Sequence, residues 1–286
     1  MLFLIERERR FSPGTQSQGA FATAAGSLFA GTVVQLLEHK TVSARGSYRA
    51  VVLLYAGVAG FLTLLFSRLS PATEVSSPKG TSDRLMPMRN FLGIGHSRDI
   101  VFKLSALFAL DSFAGGFVMQ TFAAYWFHLR FGADPATLGL IFFGANILAG
   151  LSAFWASRLA SRFGLINTMV FTHLPSNILL ILVPLMPTLS SAVLVLFLRF
   201  SISQMDVPTR QSYTMAVVRP EERSATAGIT GVARTTGAAL APLFVGVLFA
   251  KPSLISGPFF VAGSLKILYD LLLYREFLGI RPPEEL

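Results

Sequence analysis

Residues 166–186 read INTMVFTHLPSNILLILVPLM, and this stretch decides the fold class. It holds no Lys, Arg, Asp or Glu, and as an α-helix it rises about 30 Å, the thickness of a bilayer's hydrocarbon core. Its run Leu179-Leu180-Ile181-Leu182-Val183 does not alternate. The strands of a transmembrane barrel are about ten residues long and alternate apolar with polar, so a barrel is rejected.

Seven more stretches of similar character flank it: 21–38, 48–67, 104–127, 138–158, 189–213, 225–250 and 257–275. The chain is 52% apolar and 14% charged, with mean hydropathy +0.59. That composition excludes an ordinary soluble domain. The reading is an all-α polytopic membrane protein with eight transmembrane helices in a 2 + 6 arrangement. The chain has no cysteine, which rules out disulfides, thiolate metal sites and Cys nucleophiles. The opening Met1-Leu-Phe-Leu-Ile5 is too short for a signal-peptide core and runs into the charged segment Glu6–Arg10.

The net charge of +9 raises nucleic acid as a partner, but its distribution follows topology. Positive loops stay on the cytoplasmic side. Alternating through eight spans, one set of loops holds Arg7, Arg9 and Arg10, the basic segment 67–103, Arg158, Arg162, Arg219, Arg223 and the tail. The opposite set holds only Lys40, Arg45, Arg49, Arg130 and Lys251. Both termini are read as cytoplasmic and no nucleic acid is implied.

The long cytoplasmic linker 67–100 contains Ser70-Pro71 and Ser76-Ser77-Pro78-Lys79-Gly80 and closes on Arg98-Asp99, with Asp99 as expected N-cap of the next helix. Residues 85–94 mix Met, Phe and Leu with two arginines, as a surface-lying segment does; a flexible polar linker reads equally well. An internal repeat is also visible. A shift of 211 residues lays Ala22 on Ala233, Gly26 on Gly237, Ala30 on Ala241, Lys40 on Lys251, Gly46 on Gly257 and Leu54 on Leu265. Chance within so biased a composition is the alternative.

Three features together resemble the major facilitator superfamily of secondary transporters: a basic linker, a six-helix block over 101–275, and short loops of matching length. Leu159-Ala160-Ser161-Arg162-Phe163-Gly164 resembles that family's Gly-x-Leu-Ala-Asp-Arg-x-Gly-Arg loop. It departs from it at Ser157, Ser161 and Leu165, which removes the loop's acidic residue. Pro220-Glu221-Glu222-Arg223-Ser224 resembles the family's loop between the fourth and fifth helices of a half. The resemblance implies that 1–66 supplies the last two helices of an N-terminal bundle and 67–100 the linker. It makes 101–275 the C-terminal six-helix bundle and 276–286 a cytoplasmic tail. The chain would then correspond to helices five to twelve, with a missing N-terminal helical segment as a further partner. Leu159, Arg162 and Gly164 would form a gating loop.

A charge at mid-bilayer costs at least about 2.5–3.5 kcal/mol, so each intramembrane charge asks for a reason. Arg199, Ser203, Asp206, Arg210 and Tyr213 are spaced 4, 3, 4 and 3 apart, one stripe on a helix. The family fold places such a helix, and span three, beside the central cavity, which makes Arg199, Asp206 and Arg210 a substrate or ion path. The bland alternative is an i,i+4 ion pair between Asp206 and Arg210, with Arg210 reaching toward the interface. Pro208 predicts a bend. Span three offers Asp111 and Gln120 on opposite faces around Gly115-Gly116. Asp111 is a candidate carrier of a coupling proton, or else a static partner for an arginine of the same half, such as Arg234. Lys266 and Asp270 read as a structural i,i+4 pair, His173 beside Pro175 as a structural histidine, and Gly228, Gly231 and Gly237 as close-packing positions.

No phosphate loop, His-containing metal spacing or nucleophile elbow occurs. The expectation is no enzyme, no cofactor and no metal. The function read is secondary active transport of a small solute, coupled to a proton or ion, by alternating access. Asp206 or Asp111 would be the coupling carboxylate, and Arg199 and Gln120 would touch substrate. The lipid bilayer is the surrounding partner and the plasma membrane the default location. A non-transporting scaffold or receptor derived from a transporter is the competing class.

Overall fold

A computed structural model describes residues 13–39, 43–68 and 93–280, and within them the chain forms ten α-helices that make eight membrane-length spans. They are α1 (Pro13–His39), α2 (Ala44–Ser67), α3 (Arg98–Gly116), α4 (Gln120–Phe131) and α5 (Pro135–Phe163). The second set is α6 (Leu165–Leu182), α7 (Leu189–Ser203), α8 (Asp206–Ala216), α9 (Arg223–Phe249) and α10 (Gly257–Phe277). No strand occurs among the described residues. The eight-span, all-helical class read from the sequence is the one observed. The Glu6–Arg10 cluster, most of the linker and all of segment 85–94 except its last two residues lie outside the described residues.

Two spans are broken, which accounts for ten helices in eight crossings. Span three comprises α3 and α4. It breaks just after Gly115-Gly116, where Met119 is extended (φ −52°, ψ 148°) before α4 restarts at Gln120. Span six comprises α7 and α8 and breaks at Gln204–Met205, where the Gln204 amide faces Ile202 O and also donates to Ser152 Oγ on α5 at 3.3 Å. Pro208 is the third residue of α8, a position whose N–H has no intrahelical acceptor in any case. The bend expected at Pro208 therefore occurs upstream as a full interruption, and the proline starts the next helix.

Small residues set which helices meet. α1 packs on α5, α3 on α9, and α6 on α10. A Cβ on Gly31 would come within 2.5 Å of Pro135 O, and one on Gly139 within 2.9 Å of Ser27 O. Gly237 lies so close to Ala109 that a Cβ would meet its carbonyl oxygen, and Gly116 faces Ala241 in the same way. Backbones that approach this closely gain dispersion contacts, the main attraction left between helices in lipid. The aligned repeat does not extend to these roles. Gly26 faces open space while its counterpart Gly237 is clamped, and Ala30 lines a cavity while Ala241 is buried. α2 packs on α1 and exposes Val52, Leu53, Tyr55, Phe61, Leu64 and Phe66, an all-round apolar surface suited to acyl chains.

The six-span block is layered. One apolar cluster gathers Phe117, Trp126, Phe127, Leu180, Leu196, Val245 and Phe259. A second gathers Leu104, Phe108, Met169, Tyr213, Tyr269, Leu273 and Phe277. Between them α3 places Asp111, α6 places His173 and Asn177, and α10 places Lys266. The charges thus occupy a middle layer sealed by hydrophobic side chains on both sides.

α3 begins with Ser97 as N-cap, and Asp99 falls in the first turn, not at the cap as expected. The acceptor for this end comes from elsewhere. Glu222, in the turn Pro220–Glu222, accepts from Gly95 N (2.6 Å) and His96 N (3.0 Å) through Oε1, and from Ser97 N (3.1 Å) through Oε2. A carboxylate here meets both the free amides and the positive end of the helix dipole.

Candidate functional site

The middle layer is a connected charge network. Asp111 Oδ2 accepts from Arg210 Nη1 at 2.7 Å, and Asp111 Oδ1 accepts from Lys266 Nζ at 2.5 Å. Arg210 Nη2 lies 3.3 Å from Asp206 Oδ2, and the guanidinium stands over the Phe108 ring at 5.4 Å. His173 Nδ1 lies 2.7 Å from Asp270 Oδ1, and Asn177 Nδ2 donates to Asp270 Oδ2 at 2.9 Å. His173 Nε2 faces Asp111 Oδ1 at 4.0 Å and joins the two halves. Asp111, His173, Asp206, Arg210, Lys266 and Asp270 are all buried, none more than 8% exposed.

Burying one ion costs several kcal/mol, recovered only when partners and hydrogen bonds satisfy it. Asp111 meets that condition with one cation on each oxygen, supplied by α8 and α10. Asp206 adds the N-terminal end of α8 as a favourable site for its charge. Four helices thereby share one electrostatic unit, so displacing any of them uncovers a charge.

One pairing expected from sequence is replaced. Lys266 and Asp270 do not pair along their helix: Lys266 turns to Asp111 and Asp270 to His173. Asp111 does face an arginine of its half, but it is Arg210, joined by Lys266, and not Arg234. The replaced pairing has a simple cause. Neighbours on a helix are visible in sequence, whereas the three-dimensional neighbours lie 155 and 97 residues away. α10 packs on α3 and α6 and feeds two residues into the network.

The other site candidates are distributed around it. Ser203 is buried with its hydroxyl unpaired among the described residues; Arg199 stands over the Phe200 ring at 5.0 Å with its Nε unpaired. The stripe from Arg199 to Tyr213 thus faces inward but is carried on two helices, not one. Gln120 lies apart from the network, on the helix that restarts after the break in span three. It donates to Ser27 Oγ at 2.9 Å and accepts from Asn146 Nδ2 at 3.1 Å. It borders a cavity of about 650 Å³ between α1, α2, α4 and α5, also lined by Glu38, Tyr48, Tyr125 and His128.

In the loop of Leu159, Arg162 and Gly164, a single residue joins α5 to α6. Gly164 has φ +84° and ψ 162°, a conformation essentially restricted to glycine. Leu159 is half-buried, and exposed Arg162 covers the Phe163 ring at 5.4 Å. Three participants were missed: His173 and Asp270 as one unit, and Glu222. The available signal was that every intramembrane charge needs a counter-charge. Pairing Lys266 with Asp270 satisfied that count while leaving Asp111 and His173 unexplained.

Among the described residues, ten helices in eight apolar spans, with a buried layer of charges inside the six-span block, define a polytopic helical membrane protein. The chain belongs to the Major Facilitator Superfamily, whose sequence profile matches residues 9–242; that family is in general one of membrane transporters. The chain is also similar to an uncharacterized membrane protein of Saccharomyces cerevisiae, at 26% identity over 287 aligned positions. The match covers 92% of this chain and 64% of the relative, so the chain spans less than two thirds of that protein's length.

Proposed function

We propose that the chain forms part of a secondary active transporter for a small solute, coupled to a proton or ion and working by alternating access. One observation carries this reading: a buried network of opposite charges shared by α3, α6, α8 and α10. Charges are expensive in lipid and mark substrate or ion pathways when they persist there. A network whose members belong to separate helices also gives a rocking bundle something to exchange as it moves. Arg199 and Ser203 at its border and Gln120 beside the cavity are the proposed substrate contacts.

The same reading takes the chain as helices five to twelve of the fold. It assigns 1–66 to an N-terminal bundle, 101–275 to the C-terminal bundle, both termini to the cytoplasm and the whole to the plasma membrane. Leu159, Arg162 and Gly164 serve as the gating loop. The test is a flux assay in proteoliposomes loaded with a pH-sensitive dye. A panel of organic anions, organic cations and neutral amphiphiles is applied under an imposed pH gradient. Transport predicts that at least one probe collapses the gradient and that Asp206→Asn abolishes the effect while expression is retained. Absence of gradient-dependent flux for every probe would favour the scaffold or receptor class.

A further inference from the structure

We infer that His173 and Asp270 form a proton-binding site that takes up one proton at His173 Nε2 and thereby loosens the contact between Lys266 and Asp111. The coupling carboxylate was sought at Asp111 or Asp206, but both already face cations. A proton arriving at Asp111 has to displace Arg210 or Lys266, and one arriving at Asp206 competes with Arg210. Asp270 differs. It is 1% exposed, and its ion-pair partner among the described residues is His173 alone.

The geometry fixes which nitrogen is available. His173 Nδ1 lies 2.7 Å from Asp270 Oδ1, so the neutral ring places its proton on Nδ1 and donates it to the carboxylate. Asn177 Nδ2, 3.2 Å from Nδ1, donates to the other carboxylate oxygen and fixes the plane. Nε2 is then the bare lone pair, and it points at Asp111 Oδ1, 4.0 Å away. Uptake forms one N–H bond at Nε2, breaks no existing hydrogen bond and turns the ring into a cation. That cation faces the same oxygen that holds Lys266 Nζ. Two cations then compete for Asp111 Oδ1, so the grip of α10 on α3 weakens when the proton is on.

The surroundings of the ring are otherwise complete. From α10 come Asp270, Lys266 and Tyr269, whose ring meets the imidazole edge-on at 5.9 Å. From α3 comes Asp111, which also holds Arg210 of α8, and Arg210 in turn holds Asp206. The α5 cations Arg158 and Arg162 are exposed and lie outside the layer.

The site is tested by nitrogen-15 NMR of the full chain in lipid nanodiscs. The chain has four histidines, so His39→Gln, His96→Gln and His128→Gln together leave His173 as the single imidazole. As the medium is acidified, Nε2 is expected to gain a proton while Nδ1 stays protonated throughout. Asp270→Asn is expected to remove the fixed order and give a mixture of tautomers. Amide exchange around Lys266, corrected for its intrinsic pH dependence, is expected to accelerate severalfold on acidification, and not in His173→Gln. A ring that keeps one state across the range, or that is bare at Nδ1, would overturn the assignment even if Asp270→Asn failed to fold. Exchange around Lys266 indifferent to pH would overturn the loosening. A role for this site in coupling rests on the transporter reading, and the two fail separately. Titration at Nε2 without flux for any probe rejects the transporter. Proton-coupled flux that survives in His173→Gln rejects this site.

Discussion

Lys266 Nζ lies 2.5 Å from Asp111 Oδ1, joining α10 to α3 across 155 residues of sequence, with each residue less than a tenth exposed. The same carboxylate holds Arg210 on its second oxygen. A buried anion with one cation per oxygen is costly to leave half-satisfied.

Lys266→Met should therefore destabilise the protein by about 3–5 kcal/mol, the usual cost of stranding a buried charge. Asp111→Asn strands Lys266 in the same way, and the double variant should be more stable than the sum of the singles by about 0.5–3 kcal/mol. Thermal unfolding in detergent, followed by tryptophan fluorescence, gives all four corners of the cycle. Strict additivity would show that the contact is not energetically coupled.

Glu222 is the acceptor for three successive amides ahead of α3. Glu222→Ala should cost about 0.5–2 kcal/mol locally, the usual loss on removing a helix N-terminal cap. Hydrogen exchange at Gly95, His96 and Ser97 should speed up markedly while amides in the middle of α3 hold their protection. Unchanged protection at those three positions would remove Glu222 from the capping role.

Two glycines of α9 make a controlled comparison. Gly237 is pressed against Ala109 and Gly246 faces open space. Gly237→Ala should destabilise by about 1–3 kcal/mol through overpacking, whereas Gly246→Ala should be neutral or stabilise by up to about 1 kcal/mol through a stiffer unfolded chain. Equal melting temperatures for the two variants would contradict the close α3–α9 approach.

The proposed orientation is open to a chemical test because the chain has no native cysteine. Arg130 and Arg162 are both exposed and lie at opposite ends of span four's two loops. Arg130→Cys should react with a membrane-impermeant maleimide in intact cells. Arg162→Cys should react only after permeabilisation, as the positive-loop bias requires. The reverse pattern would invert the topology.

The spans were legible because the requirement for about twenty apolar residues is one-dimensional and stands out in any window. The breaks at Phe117–Met119 and at Gln204–Met205 were not, since the first falls inside an apolar run, the second inside the polar stripe of span six, and both depend on neighbours: Ala241 against Gly116, and Ser152 capping Gln204. The charged residues of the candidate site were visible one by one. Their partners were not, because Lys266 and Asp270 sit one turn apart and invite a local pairing that the fold declines. Gly237 was identified as a packing glycine from composition, but only the backbone of Ala109 explains why it is intolerant.

The distance along the chain between Asp111 and Lys266 has a consequence for biogenesis. During synthesis α3 reaches the bilayer long before α10 exists, carrying a carboxylate whose lysine partner has not yet been translated. An unpartnered charge at mid-helix costs at least about 2.5–3.5 kcal/mol in lipid. Asp111 gains its first cation only when α8 supplies Arg210 and its second only when α10 supplies Lys266, so the charged layer of this protein is completed from its far end.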